Sequence, residues 1–357
     1  MGLTLRSLLL AASATRVLAS CAHGTFLRPR AEGDTVEVAN FGYTGTIVRP
    51  PLECERVKTI NLHGEQGPLN WAALETPANG ACATGSRQSP IDMVEGVFEI
   101  LEGANVELTV NDMPDGAEFE NLGTTVEVIT QGGNLKVGEK EFELQQFHFH
   151  LPSEHLDNGT SQASTSPTYP PPHDTSGEQA LTPLPPFLVE MHMVFQSANQ
   201  EIAVIGTYIN IADAAAAEAP AKRSRIFGRQ EAGAGGAAAT TLLETVFSVV
   251  DQIATPGTKT TTPPLVMSEV VDVLKANAFQ IYSGSLTTPP CSEGVSWHVS
   301  TARLAVTPAT FVKARDVIGF NARFPQNRPG EPNLLMVSAL GSAAAAVAAV
   351  GAGAPAA

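Results

Sequence analysis

Two histidines, one residue apart, end the segment Glu141 to His150, which has the composition of a β-strand. Alternate side chains of a strand point to the same side of a sheet. One side then carries Phe142, Leu144, Gln146, His148 and His150, and the other carries Phe147 and Phe149. Two imidazoles that point the same way fit a metal ion lying over the sheet. Because a lone histidine is more commonly a core or surface residue, such a site needs a third ligand.

A second strand-like segment, Leu188 to Phe195, provides that ligand. Alternation places Glu190, His192 and Val194 on one face, and Met191, Met193 and Phe195 on the other. His192 is therefore the third candidate metal ligand. Gln146 shares a face with His148, and Glu190 shares one with His192, so each is predicted to hold an imidazole in one tautomer.

The remaining patterns predict mainly β-structure with a few helices. Strand-like segments separated by Gly, Asn and Asp clusters predict antiparallel hairpins; they are 106–110, 125–130 and 135–137. A further strand, Ile202 to Tyr208, is expected to follow a hairpin at 197–200. The sequence Thr241-Leu-Leu-Glu244 predicts a helix that starts with a capping box. A second helix is predicted from Pro308 to Val317, with Thr307 as its cap.

Composition excludes several classes of protein. Of the 357 residues, 43% are hydrophobic and 16% are charged, which is typical of a globular chain that buries a large core. The 31 glycines and 26 prolines favour loop-rich β-structure over a helix bundle. A net charge of -15 would repel a phosphate backbone, so nucleic acid is not an expected partner.

The two ends of the chain differ in composition from the rest of it. Residues 1–20 have a basic residue, an apolar run and small residues in the order of a signal peptide, with cleavage after Ser20 or Ala22. No other stretch is long and apolar enough to span a membrane. The Ala-rich residues 336–357 predict a flexible tail; a lipid-anchor signal, with attachment to the cell surface, is the alternative. Secretion agrees with a glycosylation sequon at Asn158.

The four cysteines also bear on whether the protein is secreted. Cys21 lies in the cleavage region and Cys54 in a segment without periodicity, which leaves Cys82 and Cys291 as the pair within the folded domain. An oxidised pair is typical of a secreted protein. Two buried free thiols are the alternative.

One domain is predicted over 38–335, interrupted by three segments of low-complexity or aperiodic sequence at 46–66, 161–187 and 214–239. Their composition cannot form a packed core. They are either surface loops or translated non-coding sequence.

Four motifs occur in an order that resembles the α-class carbonic anhydrases: Gln146-Phe-His-Phe-His150, Ser153-Glu-His155, Glu190-Met-His192 and Ser285-Leu-Thr-Thr-Pro-Pro290. Three more also match the family pattern: Arg87-Gln-Ser-Pro90, Gly294-Val-Ser-Trp297 and Asn321-Ala-Arg323. The resemblance extends from about Phe41 to Leu335 and is closest to secreted, fungal-type members.

This resemblance implies a fold and an activity. The fold is a single mainly β (α+β) domain with a large twisted, predominantly antiparallel central sheet and a few peripheral helices. The implied cofactor is zinc, bound by His148, His150 and His192, because three imidazoles leave one open tetrahedral position. The implied reaction is reversible hydration of carbon dioxide to bicarbonate, with sulfonamides and anions as inhibitors. A catalytically silent member, acting as a binding or structural module, is the alternative.

The resemblance also assigns roles to residues around the metal. Thr287 is expected to orient the nucleophile, Glu154 to accept the proton of that threonine, and Asn321 to support the ligands. The apolar substrate pocket corresponds to Val194, Val204, Leu286, Thr288 and Trp297. A disulfide in secreted members matches Cys82 and Cys291. Fast members carry a proton-shuttling histidine where this chain has Thr124, so proton transfer is expected to depend on buffer or on another group. His298, next to Trp297, is expected to face away.

Overall fold

The structure, a computed structural model, describes residues 35–43, 66–130, 132–159, 189–212 and 238–339. Its strands are β1 (Asp92–Met93), β2 (Glu99–Glu102), β3 (Leu108–Val110), β4 (Glu118–Asn121), β5 (Val126–Ile129), β6 (Gly133–Val137), β7 (Lys140–His150), β8 (Leu156–Asp157), β9 (Val189–Ser197), β10 (Ile202–Ile211), β11 (Lys259–Thr261), β12 (Ala278–Ser285) and β13 (Glu293–Val306). Its helices include α1 (Trp71–Leu74), α2 (Ala81–Thr84), α3 (Thr241–Phe247), α4 (Ser268–Lys275) and α5 (Pro308–Ile318).

The histidine strands β7 and β9 are neighbours at the centre of an eleven-stranded sheet. The strands follow the order β11-β4-β5-β7-β9-β10-β13-β12-β2, and β6 pairs with both β3 and β7. Strands β10 and β13 run parallel, whereas the other ladders described in this sheet are antiparallel. The predicted predominantly antiparallel sheet is therefore confirmed, with one parallel pair at its middle. The predicted hairpin is also present, because the Gln200 amide donates to the Ser197 carbonyl.

A bulge in β7 changes which side chains share a face. Strand β9 advances by one residue, from Phe195 to Val194, while β7 advances by two, from Leu144 to Gln146. The extra residue reverses the alternation. Leu144, like Phe142, consequently packs in the main core with Phe147 and Phe149, and the prediction that both share the histidine face is wrong. Only the segment from Gln146 onward follows the predicted alternation.

Hydrophobic side chains fill both faces of the sheet. The larger core contains Phe147, Met191 and Met193, and it is covered by residues of α3, α4 and α5. A smaller apolar cluster, which includes Val194, Val204 and Trp297, lies with the histidines on the other face. The three histidines are thus held on a sheet that is packed on both sides, which limits their movement.

The two predicted helices form, but only one has the predicted cap. Thr307 caps α5, and its side chain accepts a hydrogen bond from the Thr310 amide. The predicted capping box at Thr241 is wrong, because Thr240 is the N-cap of α3 and its side chain makes no capping bond. Glu244 instead accepts a 2.6 Å hydrogen bond from the Thr307 amide. The carboxylate thus joins α3 to the start of α5 rather than closing its own helix.

Cys82 and Cys291 form a disulfide across 209 residues of sequence, as predicted, and the alternative of two free thiols is wrong. Arg323 lies beside it, donating to the Cys82 carbonyl and stacking over Trp71. Asn158 is exposed in the turn after β8, where glycosylation remains a prediction. Among the described helices, none has the length and apolar character needed to cross a bilayer.

Several predicted segments lie outside the described residues. These are the signal peptide, Cys21 and Cys54, nearly all of the segments 46–66, 161–187 and 214–239, and the tail beyond 339. Residues 334–339 are helical.

Candidate metal centre

Three buried histidines converge from two adjacent strands. His148 on β7 is directly opposite His192 on β9, and His150 is opposite Glu190. The ligand atoms of His148, His150 and His192 all lie within 4.8 Å of one another. The structure therefore brings together the three histidines that the sequence singled out, although the chain between their strands includes the segment 161–187.

The hydrogen bonds of two of these rings fix their tautomers. His148 Nδ1 lies 2.9 Å from Gln146 Oε1, and His150 Nδ1 lies 2.8 Å from the Asn321 carbonyl oxygen. Because both partners are acceptors, each Nδ1 must carry the proton. The two Nε2 atoms then present lone pairs to each other at 3.1 Å. Two such lone pairs repel unless a cation lies between them, so the donor set fits a metal ion.

Asn321 contributes through its backbone as well as its side chain. Its carbonyl oxygen, not its amide group, is the partner of His150. The side chain accepts from the Leu151 amide at 2.6 Å and donates to the Phe149 carbonyl at 2.8 Å. Asn321 therefore holds the end of β7 in place and orients the His150 ring at the same time.

Glu190 contacts two histidines rather than the one predicted. Its Oε1 lies 3.1 Å from His192 Nε2 and 2.7 Å from His155 Nδ1. The contact with His192 is short but is not aligned as a hydrogen bond. Since Glu190 occupies the Nε2 side of that ring, Nδ1 is the nitrogen left for a metal ion.

Burial and the contacts among Glu190 and its histidine neighbours shift the pKa values of Glu190 and His192. Burial alone would raise the pKa of Glu190, but His155 and His192 lower it well below its ordinary value. The pKa of His192 is lowered because burial outweighs the attraction of Glu190. A neutral imidazole is the form that can bind a metal.

His155, the last residue of the Ser153-Glu-His155 motif, is a site residue whose role was not predicted from the sequence. It is fully buried, and its Nε2 lies 2.7 Å from Tyr282 Oη. Ser89 Oγ lies 2.8 Å from the same hydroxyl. A continuous hydrogen-bonded chain thus runs from Ser89 and Tyr282 through His155 to Glu190.

Gly206 is a second site residue whose role was not predicted from the sequence. A Cβ atom at this position would lie 2.9 Å from Glu190 Oε1 and 3.8 Å from His192 Cδ2. A glycine within a strand can mark such a close approach, so the sequence did contain a weak signal.

The predicted pair Thr287 and Glu154 lies beside the histidines. Glu154 Oε2 is 3.4 Å from His150 Nε2, and Glu154 Oε1 accepts from the Arg323 amide at 2.8 Å. Burial raises the pKa of the Glu154 carboxyl well above its ordinary value, although the Arg323 amide and the Thr287 hydroxyl act in the opposite direction. Within the described residues, Thr287 Oγ1 and Glu154 Oε2 make no hydrogen bond of good geometry. The predicted bond between them therefore remains a prediction.

The predicted pocket residues are all buried, and four of them pack together: Val194, Val204, Leu286 and Trp297. The Trp297 ring centroid lies 4.9 Å from that of His192, and its Nε1 donates to the Ser285 carbonyl. Thr288 is also fully buried. His298 contacts Phe279 of the main core, so it faces away from the metal ligands as predicted.

The chain is similar in sequence and in structure to carbonic anhydrases. A family profile described as eukaryotic-type carbonic anhydrase matches residues 186–328. A carbonic anhydrase of Nostoc sp. is 29% identical over 282 residues, which cover 78% of this chain and 84% of that protein. A solved fungal α-carbonic anhydrase from Aspergillus oryzae is 33% identical with a TM-score of 0.62, covering 78% of this chain and 98% of that one. An α-carbonic anhydrase from Thermovibrio ammonificans, solved with sulfanilamide, is 28% identical with a TM-score of 0.54, covering 74% and 94%.

Proposed function

Since the chain belongs to the α-class carbonic anhydrases, we propose that it catalyses the reversible hydration of carbon dioxide to bicarbonate and a proton. The proposed cofactor is zinc, held by His148, His150 and His192. The observation that carries this proposal is the pair of Nε2 lone pairs that face each other at 3.1 Å. Zinc bound by three imidazoles lowers the pKa of water and supplies hydroxide near neutral pH.

The surrounding residues have distinct tasks in this reaction. Gln146, the Asn321 carbonyl and Glu190 keep the three rings in the orientation that metal binding needs. Apolar walls from Val194, Leu286 and Trp297 suit a small substrate without charge.

Thr287 and Glu154 are proposed to orient the attacking oxygen. A threonine hydroxyl that donates to a carboxylate must accept the other hydrogen bond it makes, because it has one proton. Glu154 therefore determines which way the Thr287 hydroxyl points, and through it the direction of the nucleophile. Metal binding would favour this arrangement, since a nearby divalent cation lowers the pKa of a buried carboxyl.

We also propose that the protein is secreted. The disulfide between Cys82 and Cys291 supports secretion, because such bonds persist in oxidising compartments. We propose that residues 1–20 are removed as a signal peptide and that Asn158, whose side chain is exposed, is glycosylated. Sulfonamides and small anions are the proposed inhibitors, since one open metal position accepts either.

Zinc analysis combined with a hydration assay tests the proposal. The purified secreted chain should contain about one zinc ion and hydrate carbon dioxide in a sulfonamide-sensitive way. Zinc bound without hydration activity would favour the silent binding or structural module. Absence of stoichiometric metal would contradict the ligand set as well.

A further inference from the structure

A concavity distinct from the histidine cluster lies where two loops meet the outer strands β12 and β2. Its volume is about 340 Å³, and its main lining residues are Arg87, Val97, Phe98, Tyr282 and Arg328. This volume is in the range of small-molecule sites, which start at about 300 Å³. The Gly330 amide donates to the Ser86 carbonyl at 2.7 Å, so the two arginine-bearing loops are fastened together.

Both arginines keep their guanidinium groups available. Within the described part of the chain, neither guanidinium makes an ion pair or a hydrogen bond, and both residues are exposed. The Glu293 carboxylate accepts a hydrogen bond from the Arg87 backbone amide, not from its guanidinium group. Two unpaired cations in one concavity are unexpected in a chain with 36 acidic and 21 basic residues. Two unpaired guanidinium groups at one site favour an anionic ligand over a neutral one.

Aromatic rings form the other part of the surface. Phe98 and Tyr282 are half-buried, with ring centroids 6.0 Å apart and a tilt of 56°. Tyr282 stacks on the buried Trp297 and its hydroxyl is held by Ser89 and His155, so this ring is fixed in place. A fixed aromatic surface binds a flat apolar group at a low cost in conformational entropy.

From this juxtaposition we propose that the cleft is a binding site for a small aromatic carboxylate. The planar guanidinium groups of Arg87 and Arg328 match the geometry of a carboxylate, which each can bind through two parallel hydrogen bonds. The aromatic ring of the ligand rests against Phe98, Val97 and the edge of Tyr282. A ligand with the ring but no charge, or with the charge but no ring, satisfies only half of the site.

Benzoate titrated into the full-length protein, followed by calorimetry or ligand-observed NMR, tests the proposal. Saturable binding is expected with a dissociation constant on the order of 1 mM. Arg87→Ala and Arg328→Ala should each weaken it about tenfold. Arg315→Ala is the matched control, because it removes the same charge from an exposed position on α5 and should leave binding unchanged. Benzyl alcohol and acetate should both bind more weakly than benzoate.

The metal centre also attracts carboxylates, so His192→Ala separates the two sites. Benzoate binding that persists in His192→Ala and is lost in the Arg87→Ala/Arg328→Ala double variant supports the cleft. Binding that is lost in His192→Ala but kept in the double variant assigns benzoate to the metal centre and overturns the proposal. No saturable binding up to about 10 mM benzoate overturns it as well.

Discussion

His148 and His192 occupy directly opposite positions on neighbouring antiparallel strands, with ring centroids 5.3 Å apart. Residues in such a pair have their side chains on the same side of the sheet. Strand pairing therefore fixes the distance between two candidate ligands that are 44 positions apart in sequence. The pairing itself is supported by buried neighbours, such as Phe147 opposite Met193, that do not depend on a metal.

His192→Ala should remove the metal but keep the fold. With two imidazoles left, the zinc content should fall from about one ion per chain to near zero. Elemental analysis after dialysis measures this, and circular dichroism checks the fold. The matched control is His298→Ala, which removes another buried histidine from the opposite side of the sheet and should retain zinc. Stoichiometric zinc in His192→Ala would contradict the ligand assignment.

The metal-free protein should lose stability in mild acid. The folded state keeps the pKa of His192 below its ordinary value, so the unfolded chain binds a proton more readily there. Stability from this residue is complete above about pH 6.5 and decreases below it, by at most about 1.4 kcal/mol per pH unit for one proton. Glu190, whose pKa is also lowered, adds a second loss as pH falls below about 4.3.

Urea unfolding in the presence of a chelator, at several pH values from 8 to 4, measures this dependence. Burial of Glu154 acts in the opposite direction, since its pKa is raised in the folded state and its contribution is lost as pH rises. Glu154→Gln should therefore steepen the loss of stability toward acid. In Glu154→Gln, a free energy of unfolding that increases from pH 7 to pH 5.5 would contradict the assignment for His192.

Gly206→Ala should weaken metal binding although it replaces no candidate ligand. The added methyl group would lie 2.9 Å from Glu190 Oε1, so the carboxylate must move away from His192. Displacement of such a ligand-supporting group typically costs about 10- to 100-fold in metal affinity. Competition with a zinc chelator measures the change. Gly80→Ala is the control, because its Cβ would meet nothing within 4 Å and its φ of -55° suits alanine; equal affinities for the two variants would refute the close-approach argument.

Loss of the disulfide should destabilise the loops that carry Glu154 and Arg323. Closing 209 residues constrains the unfolded chain by about 5 kcal/mol in the chain-entropy model, and native disulfides typically contribute about 2–5 kcal/mol. Arg323 donates to the Cys82 carbonyl and, through its amide, to Glu154, so local disorder at Cys82 would reach the site. Denaturation of a Cys82→Ser/Cys291→Ser variant measures the effect. Unchanged stability would show that the bond does not constrain the fold.

The sequence predicted those features that depend on local patterns. The alternation of Glu190, His192 and Val194, the hairpin at Ser197 and the cap at Thr307 are each encoded within a few residues and are all observed. The bulge at Gln145 could not be predicted, because it exists only relative to the register of β9. For the same reason, the parallel pairing of β10 with β13 was not visible in either strand alone.

In the candidate site, too, some features follow from local sequence patterns and others depend on tertiary contacts. The three histidines are recognisable by residue type and spacing, and Gln146 by its position on the same strand. The link from Glu190 to His155 and then to Tyr282 joins segments up to 127 residues apart, and no local pattern marks it. Thr241 is not the N-cap of α3, because Thr240 occupies that position. Glu244 accepts a hydrogen bond from the Thr307 amide, a partner that only the tertiary fold brings near it.

Thr124→His should increase turnover when buffer is scarce. Thr124 lies on the loop between β4 and β5, and β5 pairs with β7 so that Glu127 is opposite His148. Threonine does not titrate near neutral pH, whereas histidine does, so an imidazole at this position is expected to take part in proton transfer from the site. Carbon dioxide hydration by Thr124→His should be faster by roughly tenfold or more in dilute buffer, and similar to wild type in concentrated imidazole. Thr124→Gln is the matched control, since it adds similar bulk without a titrating group. If Thr124→His and Thr124→Gln have the same rates in dilute buffer, proton release in this protein does not depend on position 124.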